Sequence, residues 1–216
     1  MPAEHQTFVV VPTLITSPAH SREMAERLEV HALANPDAAL RYALLTDWAD
    51  AEAKEVPGDE ATLDAARQAI RTLNERSRAA RAQGDGAPGG DRFFLLHRER
   101  LWNEAQGVWM GWERKRGKLE EFNELLRDPD AQTSYTDIEG ALRAATEGDA
   151  IRYVLTLDAD TRTTPDGARA TMVEVNCETD FVAKEDEFKE FVSMVTTRAL
   201  AENSDEVDVL ANAAVA

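Results

Sequence analysis

The sequence predicts an α/β fold: a mostly parallel sheet with flanking helices, followed by a short α+β segment. Three observations predict it. Short β-branched apolar runs recur along the first two-thirds of the chain, segments with apolar residues at three-to-four spacing lie between them, and Pro, Gly and Asn punctuate the joins. The composition then changes: from Asp166 onward there are 12 acidic and 4 basic residues, against 29 and 20 before it. The expected organisation is therefore one domain over residues 1–165 and a second, smaller segment over 166–216.

Taken in order, "TFVVVPTLITS" is a first strand that Pro12 ends, and Ser17-Pro18 supplies an N-cap with proline at the first helical position. The helix carries Met24, Leu28 and His31 on one face, and Asn35-Pro36-Asp37 stops it. "LRYALLTD" is a second strand ending on Asp47. A polar loop with Pro57-Gly58 precedes a long helix with Leu63, Ala66, Ile70 and Leu73 on one side. Gly84 to Asp91 reads as a flexible loop, and "RFFLLHR" as the third strand. Glu99 to Met110 is expected to be irregular, with two tryptophans. A helix follows with Leu119, Phe122 and Leu126 as its buried side, and a short helix is expected within Tyr135 to Asp149. "IRYVLTLDADT" is the fourth strand. The basic run "ERKRGK" at a helix start opposes the helix dipole, which points either to an anion or to a solvated face.

At 216 residues, 43% apolar and 30% charged, the chain has the composition of a globular protein. No apolar run approaches the ~18 residues of a membrane span, and the N-terminus lacks the basic start of a signal peptide. A net charge of −17 argues against nucleic acid and anionic membranes as partners. Cys177, the single cysteine, excludes an internal disulfide framework and agrees with a cytoplasmic setting. His5, His20, His31 and His97 are too scattered to form a metal set. Trp102, Trp109 and Trp112 read as packing a loop against the sheet.

Asp158 and Asp160 stand one residue apart where an apolar strand stops. In a turn, both can face one hard divalent cation, Mg2+ or Mn2+, held against a diphosphate. The alternative is an acidic surface turn. Asp47 ends another strand and Lys118 lies in the basic helix start, which favours a site. The runs "VVVPTLITSP", "LEVHALANPDAALRYALLTDWADA", "FFLLHRERLWNEAQGVWMGWERKRGKLEEFN" and "YVLTLDADT" resemble the glycosyltransferase domain of cyclic β-1,2-glucan synthases over about Phe8 to Arg169. That resemblance implies a GT-A, Rossmann-like fold that takes UDP-glucose and a divalent metal. Asp158 and Asp160 would form its D-x-D motif, Asp47 would sit near the nucleotide, and Lys118 and Asn123 would line the donor site; it also allows a sugar contact at the tryptophans. An inverting transferase needs a carboxylate base downstream of this motif. The chain has no such segment, so no catalytic residue is assigned and turnover is not expected. "TLDADT" also fits the turn of haloacid-dehalogenase-type phosphatases, where it normally opens the fold, whereas here it closes it.

"ATMVEVNCETDFVAK" begins as a short strand and reaches an acidic turn with Phe181 beside Asp180. Phe181 either caps the following helix, whose stripe is Phe188, Phe191, Val192 and Val195, or stands as an exposed wedge for a partner. From about Asp166 to the C-terminus the chain resembles bacterial elongation factor Ts. The resemblance implies binding to the GDP form of elongation factor Tu and release of GDP. Thr179, Asp180, Phe181, Val182 and Lys184 would contact the partner. The chain therefore reads as two unrelated fragments joined at "TPDGARA". Its first functional reading is the exchange motif. The others are a nucleotide-sugar-binding fragment and a fusion in which neither part works.

Overall fold

In the computed structural model, the described residues are 6–82, 90–146 and 151–157. Contacts divide the chain into two units, Met1–Arg162 and Thr163–Ala216, and the described residues all belong to the first. The expected α+β segment, with Thr179, Asp180, Phe181, Val182 and Lys184, lies outside them, as do Asp158, Asp160 and most of the Gly84–Asp91 loop.

The elements run β1 (Thr7–Ile15), α1 (Pro18–Ala34), β2 (Leu40–Trp48), α2 (Asp59–Ala82), β3 (Phe93–Arg98), β4 (Leu101–Asn103), β5 (Val108–Met110), α3 (Arg114–Arg127), β6 (Tyr135–Glu139), α4 (Leu142–Thr146) and β7 (Tyr153–Thr156). The main sheet has five strands in the order β6-β3-β2-β1-β7. Neighbours in it are parallel except β3 and β6, which are antiparallel. This is the expected mostly parallel α/β sheet.

Alternation along each strand explains the two layers. Val9, Val11, Tyr42, Leu44, Phe93 and Leu95 face one way and meet Met24, Leu28, Leu63, Ile70 and Leu73 of α1 and α2. Phe8, Val10, Ala43, Leu45, Phe94 and Leu96 face the other way and meet Phe122 and Leu125 of α3. Strands buried on both faces must be apolar throughout, which is why these runs lack a polar stripe. Each fully covered Leu or Phe contributes about 1.5–3 kcal/mol. Phe8 is the hinge of the second layer, edge-on to Phe94 at 5.2 Å and to Phe122 at 5.4 Å.

The helix signals hold. The Ser17 side chain accepts from the His20 N–H at 3.1 Å with Pro18 in the first turn, and α1 ends at Asn35. Asn74 of α2 fastens that helix to the start of β3. Its amide donates to the Phe93 carbonyl at 2.7 Å, and its oxygen accepts from the N–H groups of Arg92 and Phe93 at 3.0 and 2.9 Å.

Three expectations need correction. Pro12 does not end β1, which continues to Ile15. The Leu157 N–H donates to the Val10 carbonyl, so Val10 and, two residues on, Pro12 address the β7 side. The described pairing with β7 ends at Val10–Thr156, so the missing proline N–H removes no described ladder bond. Second, the stretch expected to be irregular forms an antiparallel hairpin, β4–β5, with Trp102 opposite Trp109. Third, the buried face of α3 holds Gly117, Lys118 and Glu121 with Phe122 and Leu125, while Leu119 and Leu126 are only partly covered. The short helix expected within Tyr135 to Asp149 is present as α4, after an edge strand at Tyr135–Glu139.

Candidate functional site

The polar residues on the buried face of α3 belong to an ion cluster at the C-terminal ends of β1, β2 and β3. Arg98, the last residue of β3, is fully buried. Its Nε and Nη2 donate to the two oxygens of Asp47 at 2.7 and 3.0 Å, and its Nη1 donates to Glu121 Oε2 at 3.0 Å. The Lys118 ammonium lies 3.0 Å from Asp47 Oδ2 and donates to the Thr13 carbonyl at 2.6 Å. Glu121 is completed by the Ser134 N–H at 2.8 Å and hydroxyl at 2.6 Å. Two cations face two carboxylates, so the cluster is neutral, and its side chains hold one another in place.

Backbone geometry makes room for it. Glu113 and Arg114 both have φ 48° in the left-handed region, which turns the chain sharply into α3. Arg98 Nη2 donates to the Arg114 carbonyl at 3.0 Å and so clamps this turn. A Cβ on Gly111 would lie 2.7 Å from Asp47 Oδ2, and one on Gly117 would lie 2.3 Å from the Trp112 carbonyl. Both glycines are close-approach positions.

Burial lowers the pKa of Lys118, and the neighbouring Asp47 carboxylate opposes that shift. Beside the cluster, His97 is buried and its pKa is lowered to about 4, chiefly by desolvation. Its Nδ1 meets the Thr46 hydroxyl at 2.8 Å, its ring packs edge-on against Trp48 at 4.2 Å, and its Nε2 has no partner among the described residues. Arg100 ties down the β2–α2 loop through the Ala49 and Lys54 carbonyls at 2.8 and 3.0 Å and Asp59 at 2.5 Å.

The structure thus brings Asp47 and Lys118 together, as two of the residues singled out in the sequence. Asp47 is sealed, at 2% exposure, with both oxygens engaged. Asn123 is half-buried on α3 and takes no part in the hydrogen bonds of the cluster. The basic run divides: Lys118 turns inward, while Arg114 stays exposed and pairs with Asp50 at 2.8 Å. Arg98, Glu121, Gly111 and Gly117 were not singled out from the sequence. An arginine closing an apolar strand, and a glutamate three residues after a lysine on one helix, were the available signals.

Among the described residues, no group of three or more His, Cys, Asp or Glu side chains is placed to hold a metal ion. No helix among them is long and apolar enough to cross a membrane. Trp102 and Trp112 do not pack the loop against the sheet, being 52% and 43% exposed, whereas Trp109 is half-buried.

No family model matches the chain. It is 50% identical over 162 residues, 75% of its length, to cyclic beta-(1,2)-glucan synthase NdvB of Rhizobium meliloti (strain 1021). It is 54% identical over 48 residues, 22% of its length, to elongation factor Ts of Sphingopyxis alaskensis, and 35% identical over 101 residues to that of Hydrogenovibrio crunogenus. The chain spans about 5% of the glucan synthase and 16% and 29% of the two elongation factors. It joins a stretch similar to a glucan synthase to a separate stretch similar to elongation factor Ts.

Proposed function

We propose that residues 1–165 form the donor-binding part of a glycosyltransferase that takes UDP-glucose. The observation that carries this reading is the strand order. From β1 the chain winds through β2 and β3 on one side, and β7 lies on the other side of β1. That arrangement makes a switch point between β1 and β7, where open α/β sheets bind ligands beyond the carboxyl ends of their strands. Lys118 reaches the Thr13 carbonyl near the end of β1, and β7 leads directly to Asp158.

In this reading Asp158 and Asp160 hold Mg2+ or Mn2+, which neutralises diphosphate charge when bound. Asp47 does not touch the donor. It fixes Lys118 and, through Arg98, the turn into α3, so that the sealed cluster holds the strand ends and the helix start that border the crevice. Asn123 lines the same side. Isothermal titration of the chain with UDP-glucose and Mn2+ is expected to give saturable heat that Asp158→Ala abolishes. Absence of heat, or heat unchanged in the variant, would overturn the reading.

A second reading applies to residues 166–216, and the separate similarity to elongation factor Ts supports it. There, Thr179, Asp180, Phe181, Val182 and Lys184 engage the GDP form of elongation factor Tu, and Phe181 is the wedge. A partner that binds the nucleotide-free state better than the GDP state weakens GDP binding by linkage. The chain should accelerate release of fluorescent GDP from elongation factor Tu, and Phe181→Ala should not. Equal rates with and without the chain would remove this reading.

A further inference from the structure

The two edges of the main sheet are built differently. β6 carries Asp137 and Glu139, held by Arg67 and Arg71 of α2, and its pairing with β3 is broken by a register shift between His97 and Arg98. Charges and irregularity of this kind blunt an edge against further pairing. β7 has no charged residue, no proline and no register shift along Tyr153–Thr156. The residue before it, Arg152, is an exposed cation in a chain of net charge −17. A second copy brings the same negative charge, and this strand opposes it with none of its own.

The hydrogen-bond phase of β7 shows what its open side offers. The N–H groups of Tyr153 and Leu157 donate to the Gln6 and Val10 carbonyls at 3.4 and 2.9 Å. Residues 153, 155 and 157 therefore turn their backbone groups to β1, and Val154 and Thr156 turn theirs the other way. Among the described residues, no strand pairs with that side. Side chains alternate as well. Val154 packs into the second core layer, whereas Tyr153 and Leu155, in register with Thr7 and Val9, lie on the α1 side and are 51% and 42% exposed.

This pattern is complementary to itself in one register. A two-fold axis perpendicular to the sheet keeps every side chain on its own face, so a residue of β7 can meet itself at the axis. With Leu155 at the axis, Val154 of each copy exchanges both backbone bonds with Thr156 of the other, and all the outward groups of these two residues are used. Tyr153 then lies opposite Leu157 and Leu155 opposite itself, so the exposed apolar side chains cover one another. Placing Val154 or Thr156 at the axis leaves the other of the two without that exchange. We propose that two copies of the chain associate through the open edge of β7, in an antiparallel β7–β7 seam centred on Leu155. The seam is four residues long on each side, so association is reversible, with a dissociation constant between about 1 μM and 1 mM.

The test is sedimentation equilibrium of the full chain at concentrations spanning that range, without nucleotide or metal. The average mass is expected to rise from monomer to dimer and stop there. Leu155→Lys and Leu155→Glu, both at an exposed position, should each weaken association about tenfold, because like charges then meet at the axis. Mixing the two variants should restore it, since Lys then meets Glu; a folding defect would not be repaired by mixing. Ile138→Lys, on the β6 edge, should associate like the parent. A monomer mass throughout, assemblies larger than a dimer, or parent-like association in both Leu155 variants would overturn the proposal. So would a mixture that associates no more tightly than either variant alone, or association lost in Ile138→Lys.

Discussion

Replacing Arg98 by Met tests whether the buried cluster behaves as one unit. Arg98 is fully buried and makes four hydrogen bonds: two to Asp47, one to Glu121 and one to the Arg114 carbonyl. The substitution leaves Lys118 to offset Asp47, while Glu121 keeps only its two bonds from Ser134. The cluster goes from neutral to one net negative charge in a site without water access. Removing one partner from a buried pair costs ~3–5 kcal/mol, a large part of the ~5–15 kcal/mol that stabilises a typical domain. For a chain of this size that is a fall in melting temperature of roughly 6–20 °C. Adding Glu121→Gln restores neutrality and still lets an amide serve Ser134, so the double variant should recover more than half of the loss. Urea denaturation of the parent, the two single variants and the double variant closes the cycle. A loss under about 1 kcal/mol in Arg98→Met, the range of an exposed pair, would refute the argument. So would a double variant no more stable than Arg98→Met.

The buried His97 gives a pH prediction. Its pKa falls from 6.5 to about 4 in the fold, so an unfolded chain binds the proton first as pH drops. Its contribution is complete above about pH 6.5 and is lost towards about pH 4, a change of about 3 kcal/mol. His97→Asn, which keeps a polar group near Thr46, should flatten urea midpoints across that window; an unchanged slope would count against the assignment. Asp59 acts in a separate window: burial raises its pKa, but the hydrogen bonds from Arg100 and the Val56 N–H, with the positive charge beside it, together outweigh this and hold it below 3.8, so its share is lost only at lower pH. Gly111→Ala should cost about 1–3 kcal/mol as the new methyl meets Asp47, and a denaturation midpoint equal to the parent's would show that the turn yields freely. Asn74→Ala leaves the Phe93 carbonyl and the N–H groups of Arg92 and Phe93 without their partner. It should cost about 2–3 kcal/mol, read from the same curves.

Where the sequence was legible, the reason was local. Ser17-Pro18 specifies a helix start by its own chemistry, and the stripe Leu63, Ala66, Ile70, Leu73 has only one periodicity. Pro12 misled because its effect depends on which neighbour its nitrogen faces, and that is settled by β7, some 140 residues away. β4 and β5 were missed because three-residue strands carry too few residues to show alternation. Tyr135–Glu139 was missed because an edge strand half open to water has no apolar run. In the site, Asp47 and Lys118 were legible as strand-end and helix-start charges. Their partners Arg98 and Glu121 were not, since a buried ion pair between distant segments has no spacing rule.

Two carboxylates carried by the strands of the sheet are already engaged by cations. Asp47 ends its strand spent on Arg98 and Lys118. Asp137 of β6 is spent on Arg67, whose Nε and Nη2 both donate to it. A sheet of β1, β2 and β3 alone would wind in one direction and leave no crevice between diverging connections. Adding β7 on the far side of β1 creates one, and Leu157 donating to Val10 fixes its register there. The same end of β1 receives Lys118 from the opposite layer, at Thr13. Thr13 thus receives Lys118 from α3, and Val10 receives the Leu157 N–H from beyond β7, so one strand ties together segments far apart in the chain. Under the donor reading proposed above, it is the switch point, and not the D-x-D spacing by itself, that points to a ligand.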